Sequence, residues 1–218
     1  MLHLVATPIG DTTEITLRAL EILKSCDVII CESTKEASKL LRAHGITGKT
    51  YEVLDEHSTP EDKAALIPLC ANKNVALVSD CGTPGFCDPG ADIVRLCRQK
   101  NIPVKSALGA SALMGLLSLS GQRLDEFVFR GFLPAETESR GKALKELTKE
   151  KRAIILMDTP YRLKKTLMDM KEHFSNRRFL LTLNLSQEEE TVLEGHIEYL
   201  LSNLRVDKAE FMLLVYPG

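Results

Sequence analysis

The chain has 218 residues, 44% of them apolar, with a formal charge of −2 at pH 7 from 28 basic and 30 acidic side chains. That length carries one large domain or two small ones, and the near-neutral balance gives no global pull toward nucleic acid, so any such binding must come from a local patch. No apolar run approaches the roughly 20 residues that span a bilayer, and Met1-Leu2-His3-Leu4-Val5 lacks the pattern of a cleavable signal, so a cytoplasmic protein is expected.

Strand and helix patterns alternate from end to end, which predicts an α/β protein with helices packed on parallel or mixed sheets. Residues 2–5 read as a short apolar strand. Asp11, with Glu14 three residues on, reads as the N-cap of a helix whose apolar face carries Ile15, Ala19, Leu20, Ile22 and Leu23. Strand 28–31 and a helix over 35–44, stopped at Gly45, come next. Thr59-Pro60 opens another helix with proline at its first position. A buried strand at 75–78, a helix over 91–100 and a strand at 103–106 lead to Ala107-Leu108-Gly109-Ala110-Ser111-Ala112, where Ser111 is placed to cap a helix running to Leu119. Strands are then expected at 127–129, 153–157, 179–184, 191–194 and 211–216, with helices over 138–150, 160–174 and 197–204. A division near residue 112 gives two halves of four or five strands each.

The most informative segment is the loop after Val78. Gly82, Pro84, Gly85, Pro89 and Gly90 fall within nine residues. Glycine permits tight turns and close approach of a ligand to bare backbone, and proline fixes the geometry between them. Ligands of open α/β sheets bind beyond the carboxyl ends of strands, where this loop sits.

Other chemistry is thinly represented. No G-x-G-x-x-G follows the first strand, and P-loop, G-x-S-x-G and H-E-x-x-H signatures are absent. The six cysteines form no C-x-x-C pair and have no histidine at ligand spacing, which predicts reduced, largely buried thiols and no metal. Cys81 and Cys87 sit in the glycine-rich loop without an assignable base, and His57 is a lone loop histidine with a minor claim to general-base work. Glu188-Glu189-Glu190 reads as solvent-facing. Two basic stretches, 140–152 and 162–178, read as solvated helix faces.

Taken together, Ala6-Thr7-Pro8-Ile9-Gly10, Ser79-Asp80-Cys81-Gly82-Thr83-Pro84-Gly85 with Asp88-Pro89-Gly90, Gly109-Ala110-Ser111-Ala112 and Gly131-Phe132-Leu133-Pro134 resemble the tetrapyrrole-methylase superfamily of S-adenosylmethionine-dependent methyltransferases, and within it the rRNA ribose 2′-O-methyltransferases. The resemblance covers essentially the whole chain in order and spacing. It implies a two-domain class III methyltransferase fold of α/β type, a homodimer, and S-adenosylmethionine held in the interdomain cleft. Residues 1–111 would form the N-terminal domain with the acceptor side and the cofactor loop, and 112–218 the C-terminal domain that completes the cleft. By the same likeness Pro8 and Gly10 line the cleft floor, Asp80, Gly82 and Thr83 contact the cofactor, Ser111 and Ala112 hold its far side, and Leu133, Met157, Leu183 and Glu210 come from the second half. Glu32 and Lys35 are the acceptor-side catalytic candidates.

The departures concern the acceptor side. The rRNA enzymes have E-D-T-R where this chain has Glu32-Ser33-Thr34-Lys35, and E-L-T-K where it has Asn184-Leu185-Ser186-Gln187. T-P-I-G-N-L becomes Thr7-Pro8-Ile9-Gly10-Asp11-Thr12, and the chain ends at Gly218, where the rRNA enzymes usually continue into a helical extension. The leading expectation is methyl transfer to an RNA ribose 2′-hydroxyl of the small ribosomal subunit, without a metal and without a membrane. A small-molecule acceptor such as a tetrapyrrole, a protein acceptor, and a catalytically silent cofactor-binding paralogue are the alternatives.

Overall fold

Five short parallel strands build the first sheet of the computed structural model, which describes residues 1–218. In chain order they are β1 (Leu2–Val5), β2 (Val28–Cys31), β3 (Thr50–Val53), β4 (Val75–Leu77) and β5 (Val104–Ala107), and they lie side by side as β3-β2-β4-β1-β5. β2 and β4 are buried at every position, as parallel strands covered on both faces must be. Helices α1 (Leu17–Ser25) and α2 (Thr34–Ala43) follow β1 and β2, and Ala19, Ile22, Leu23, Ala37 and Leu41 join one core layer with Ile29, Cys31, Ala76 and Val78. Helices α3 (Pro60–Asn72) and α4 (Ala91–Gln99) supply a second layer, in which Leu66, Ile67, Cys70, Ile93 and Cys97 pack with Leu2, Val28, Ile30 and Leu77. The sheet is therefore doubly wound, with one helix pair per layer.

The second sheet is mixed. Its strands β6 (Phe127–Gly131), β7 (Ala153–Asp158), β8 (Arg178–Leu183), β9 (Thr191–His196) and β10 (Phe211–Val215) run in the order β6-β7-β10-β8-β9. Only β6 and β7 are parallel; β10 is antiparallel to both β7 and β8. Alternation splits the strand residues between two layers. Ile154, Leu156, Leu181 and Leu213 pack with helices α6 (Thr137–Leu147), α7 (Leu163–His173) and α8 (Ile197–Asn203), whereas Ala153, Ile155, Leu180, Met212 and Leu214 pack with Leu116 of α5 (Ala112–Leu119). The chain divides into two compact units, Met1–Ser111 and Ala112–Gly218.

Two local expectations need correction, and one strand lies where none was expected. Asp11 caps only a 3-10 turn, Thr12–Glu14, by accepting from the Thr13 amide; α1 begins at Leu17, capped by Thr16. The extended backbone of Ile15 separates the two, so a cap signal close to an apolar periodicity was joined to the wrong helix. Strand β3 escaped the pattern because Thr-Tyr-Glu-Val has no buried member and pairs at the sheet edge. Arg140 is not on a solvated face: it is 2% exposed, with its guanidinium on Asp158, Asp169, Thr166 and the Pro134 carbonyl. The Thr59-Pro60 start of α3 is as read, with a reciprocal capping box to Asp62.

Candidate active site

Strand order locates the crevice in the first unit. β1 sends the chain to the α1–α2 layer and β4 sends it to the α3–α4 layer, yet the two strands are neighbours. Their connections diverge, which opens a ligand crevice at their carboxyl ends. Both motif loops leave from that point. Thr7 and Gly82 span it with a two-bond antiparallel bridge, at 2.9 Å from the Thr7 amide and 3.0 Å from the Gly82 amide. The Thr7 hydroxyl donates to the Ser79 carbonyl at 3.2 Å, and the Ser79 hydroxyl to the Cys81 carbonyl at 3.0 Å. The Thr83 hydroxyl donates to the Ala110 carbonyl at 3.3 Å, tying in the loop after β5. Gly109 there is packed so closely that a Cβ would lie 2.9 Å from the Ala6 Cβ. Three loops are thus woven into one small-residue floor that contains Pro8, Gly82 and Thr83, with Gly10 exposed at its margin.

A carboxylate-rich wall stands beside this floor. Glu32 follows β2 and accepts from the Asp80 backbone amide, while the Asp80 side chain accepts from the Ser33 amide at 3.2 Å. This reciprocal pair locks the β2 and β4 loops together, and Ser33 in turn caps α2 by accepting from the Glu36 amide. Glu32, Asp55, Glu56, His57, Cys87, Asp88 and Pro89 line an open groove of about 690 Å³. Burial raises the Glu32 carboxyl above its ordinary value, and the charges of Asp88, Asp80 and Asp55 raise it further. Burial and Asp80 likewise raise Asp88, against the bond it receives from Ser79. A carboxylate held this way is a stronger proton acceptor than a free one, which suits removal of a proton from an acceptor hydroxyl. His57 has a side chain 84% exposed, and Lys35 lies exposed in the first turn of α2. The Cys87 thiol is pushed up by burial and by Asp88, the opposite of what a nucleophile needs.

In the second unit the four expected residues gather at one edge of the sheet. Met157 of β7 faces Met212 across the ladder, Leu183 of β8 faces Phe211, Glu210 precedes Phe211, and Leu133 follows β6. Leu133 and Leu183 are buried in the core beneath α6–α8, so their side chains are not open to a ligand. Met157 packs in the α5 layer, and Glu210 is exposed. The replaced segment Asn184–Gln187 is a turn pinned to that edge. Asn184, at a φ of 49°, accepts from the Glu210 amide at 3.1 Å, and the Gln187 amide group donates to the Glu210 carboxylate at 2.9 Å. Ser111 ends the first unit and Ala112 opens α5. Sequence reasoning missed Arg140, whose only outward sign is a basic residue near Gly131-Phe132-Leu133-Pro134.

Residues 1–201 match the family model of Tetrapyrrole (Corrin/Porphyrin) Methylases. The chain belongs to the tetrapyrrole methylase family. A ribosomal RNA small subunit methyltransferase I from Synechocystis is 39% identical over 99% of this chain and 78% of its own length. Proteins of the same name from Neisseria meningitidis serogroup B and Leptospira biflexa are 37% and 34% identical, matching 76% and 90% of their lengths. Among solved structures, a diphthine synthase superposes with a TM-score of 0.75 at 16% identity, covering 99% of this chain and 89% of that one. A cobalt precorrin-4 methyltransferase superposes at 0.71 and 15%, covering 99% and 94%. This tetrapyrrole methylase is an S-adenosylmethionine-dependent methyltransferase. No helix in it is long and apolar enough to cross a membrane.

Proposed function

We propose that this methylase transfers the methyl group of S-adenosylmethionine to a ribose 2′-hydroxyl of small-subunit rRNA. Identity of 34–39% along almost the entire chain to proteins named as rRNA small subunit methyltransferases carries the reading. The residues that would hold the cofactor are Pro8, Gly10, Asp80, Gly82, Thr83, Ser111 and Ala112 of the motif loops, together with Leu133, Met157, Leu183 and Glu210 of the second half. Backbone amides and carbonyls do most of the holding, because the small residues leave the chain bare. A sulfonium methyl needs little covalent assistance, so in-line placement of the oxygen supplies much of the rate. Glu32 takes the hydroxyl proton as the C–S bond breaks and the C–O bond forms, leaving S-adenosylhomocysteine. Lys35 is the neighbouring cation on the acceptor side. The enzyme works as a homodimer in the cytoplasm, where its ribosomal substrate is, and needs no metal.

A small-molecule acceptor is the second reading, favoured by the groove of Glu32, Asp55, Glu56 and Asp88, whose charge repels phosphate. Incubation with radiolabelled S-adenosylmethionine separates the two. Label in a defined ribose of bare small ribosomal subunits supports the rRNA reading; label only in a small-molecule fraction of a cell extract supports the second. Cofactor binding with no transfer to either would overturn both in favour of a silent paralogue.

A further inference from the structure

We propose that the outward face of the segment from Pro160 into α7 is a docking platform for the single-stranded RNA that flanks the methylated nucleotide, an inference that rests on the rRNA reading. Tyr161 is 76% exposed, an uncommon position for an aromatic ring. It is nonetheless held in place. Pro160 fixes the first residue of the 3-10 turn Pro160–Arg162, the Lys208 ammonium sits 4.7 Å from the ring centroid, and Arg162 is anchored to Asp158 at 3.2 Å.

Helical spacing extends the platform. Tyr161, Lys164, Lys165 and Met168 recur at the three- and four-residue intervals of one face and are all exposed, while Leu163, Thr166, Leu167 and Met170 are buried on the other. Residues 160–168 carry Arg162, Lys164 and Lys165 and no acid. Arg205 and Lys208, both exposed, add charge from the segment before β10. The nearby Asp207 pairs with Lys164, but both partners are solvated, so a phosphate can displace it at little cost. A fixed, open aromatic ring ringed by lysine and arginine is the pairing by which single strands are held, with a base on the ring and phosphates on the cations. The platform also adjoins the sheet edge described above: Tyr161 follows Met157 by four residues and Lys208 precedes Glu210 by two.

The test uses the full chain, a fluorescein-labelled single-stranded 12-mer of RNA read by anisotropy, and methyl transfer to bare small subunits. Tyr161→Ala is expected to weaken the 12-mer about tenfold and Tyr161→Phe to preserve it, because stacking needs the ring alone. Lys165→Ala with Lys208→Ala is expected to lower the salt slope of binding by about 1.4. Affinity for S-adenosylmethionine and kcat at saturating RNA stay at parental values, and KM for the subunits rises. Parental RNA affinity and KM in Tyr161→Ala, with wild-type transfer intact, would sink the platform and leave the rRNA reading standing. A wild-type protein that transfers no label to any RNA would remove both.

Discussion

Glu32, the proposed proton acceptor, would serve chemistry at the expense of stability. Its carboxyl and that of Asp88 are both raised by burial, Glu32 further by Asp88, Asp80 and Asp55, and Asp88 further by Asp80. A folded-state value above the unfolded one means the native protein binds more protons than the unfolded chain between the two values. Stability contributed by the protonated groups is therefore lost as pH rises through that window. Glu32→Gln removes one of the repelling charges. Its urea midpoint at pH 7 should equal or exceed the parent's, with the gap closing toward roughly pH 4, where free carboxylates protonate. Methyl transfer by the same variant should fall about a hundredfold, the loss typical of a general base; a midpoint below the parent's would show that the charge cluster is not strained. Gly90 makes a second residue-scale case. It adopts a φ of 138°, and a Cβ there would meet the Leu77 Cδ2 at 2.7 Å. Gly90→Ala must combine backbone strain with displacement of a core leucine, for a loss of about 1–3 kcal/mol in urea denaturation.

At the scale of elements, the sequence marks boundaries through local chemistry and hides what depends on partners. The capping box at Thr59, the α2 start at Ser33 and the buried strands β2 and β4 are legible because caps and continuous apolar runs act within a few residues. β3 is a strand only because β2 pairs with it, and Arg140 is buried only because two acids and a threonine on β7 and α7 converge on it. That guanidinium ties α6 to the end of β7, to α7 and to the loop after β6 through Pro134. Arg140→Met strands the Asp158 carboxylate, 1% exposed, with only Arg162 and the Thr159 amide to meet it. The expected loss is about 3–5 kcal/mol, read as a lower urea midpoint of the second unit; Asp169→Asn, at the more open end of the network, should lose less.

On the scale of the whole molecule, each unit closes its own sheet between its own helices, and no helix of the first layer pair is borrowed from the second unit. A unit with both sheet faces covered has the makings of an independent folding domain. Residues 1–111 expressed alone should therefore give a cooperative urea transition and an α/β circular dichroism spectrum. Absence of a cooperative transition in that fragment would show that the first unit depends on the second.

Alternation of strand and helix, the small-residue loops at 6–10, 79–90 and 109–112, and the family likeness they carry were determined by the sequence itself, because turn geometry and apolar periodicity are local properties of the chain. Which strands are neighbours was not. Only the tertiary structure set β1 beside β4, bridged Thr7 to Gly82 across their ends, and crossed the Glu32 and Asp80 hydrogen bonds between loops 47 residues apart. Those contacts decide the crevice and the basicity of its wall because burial and charge act through space, and sequence distance carries no measure of either.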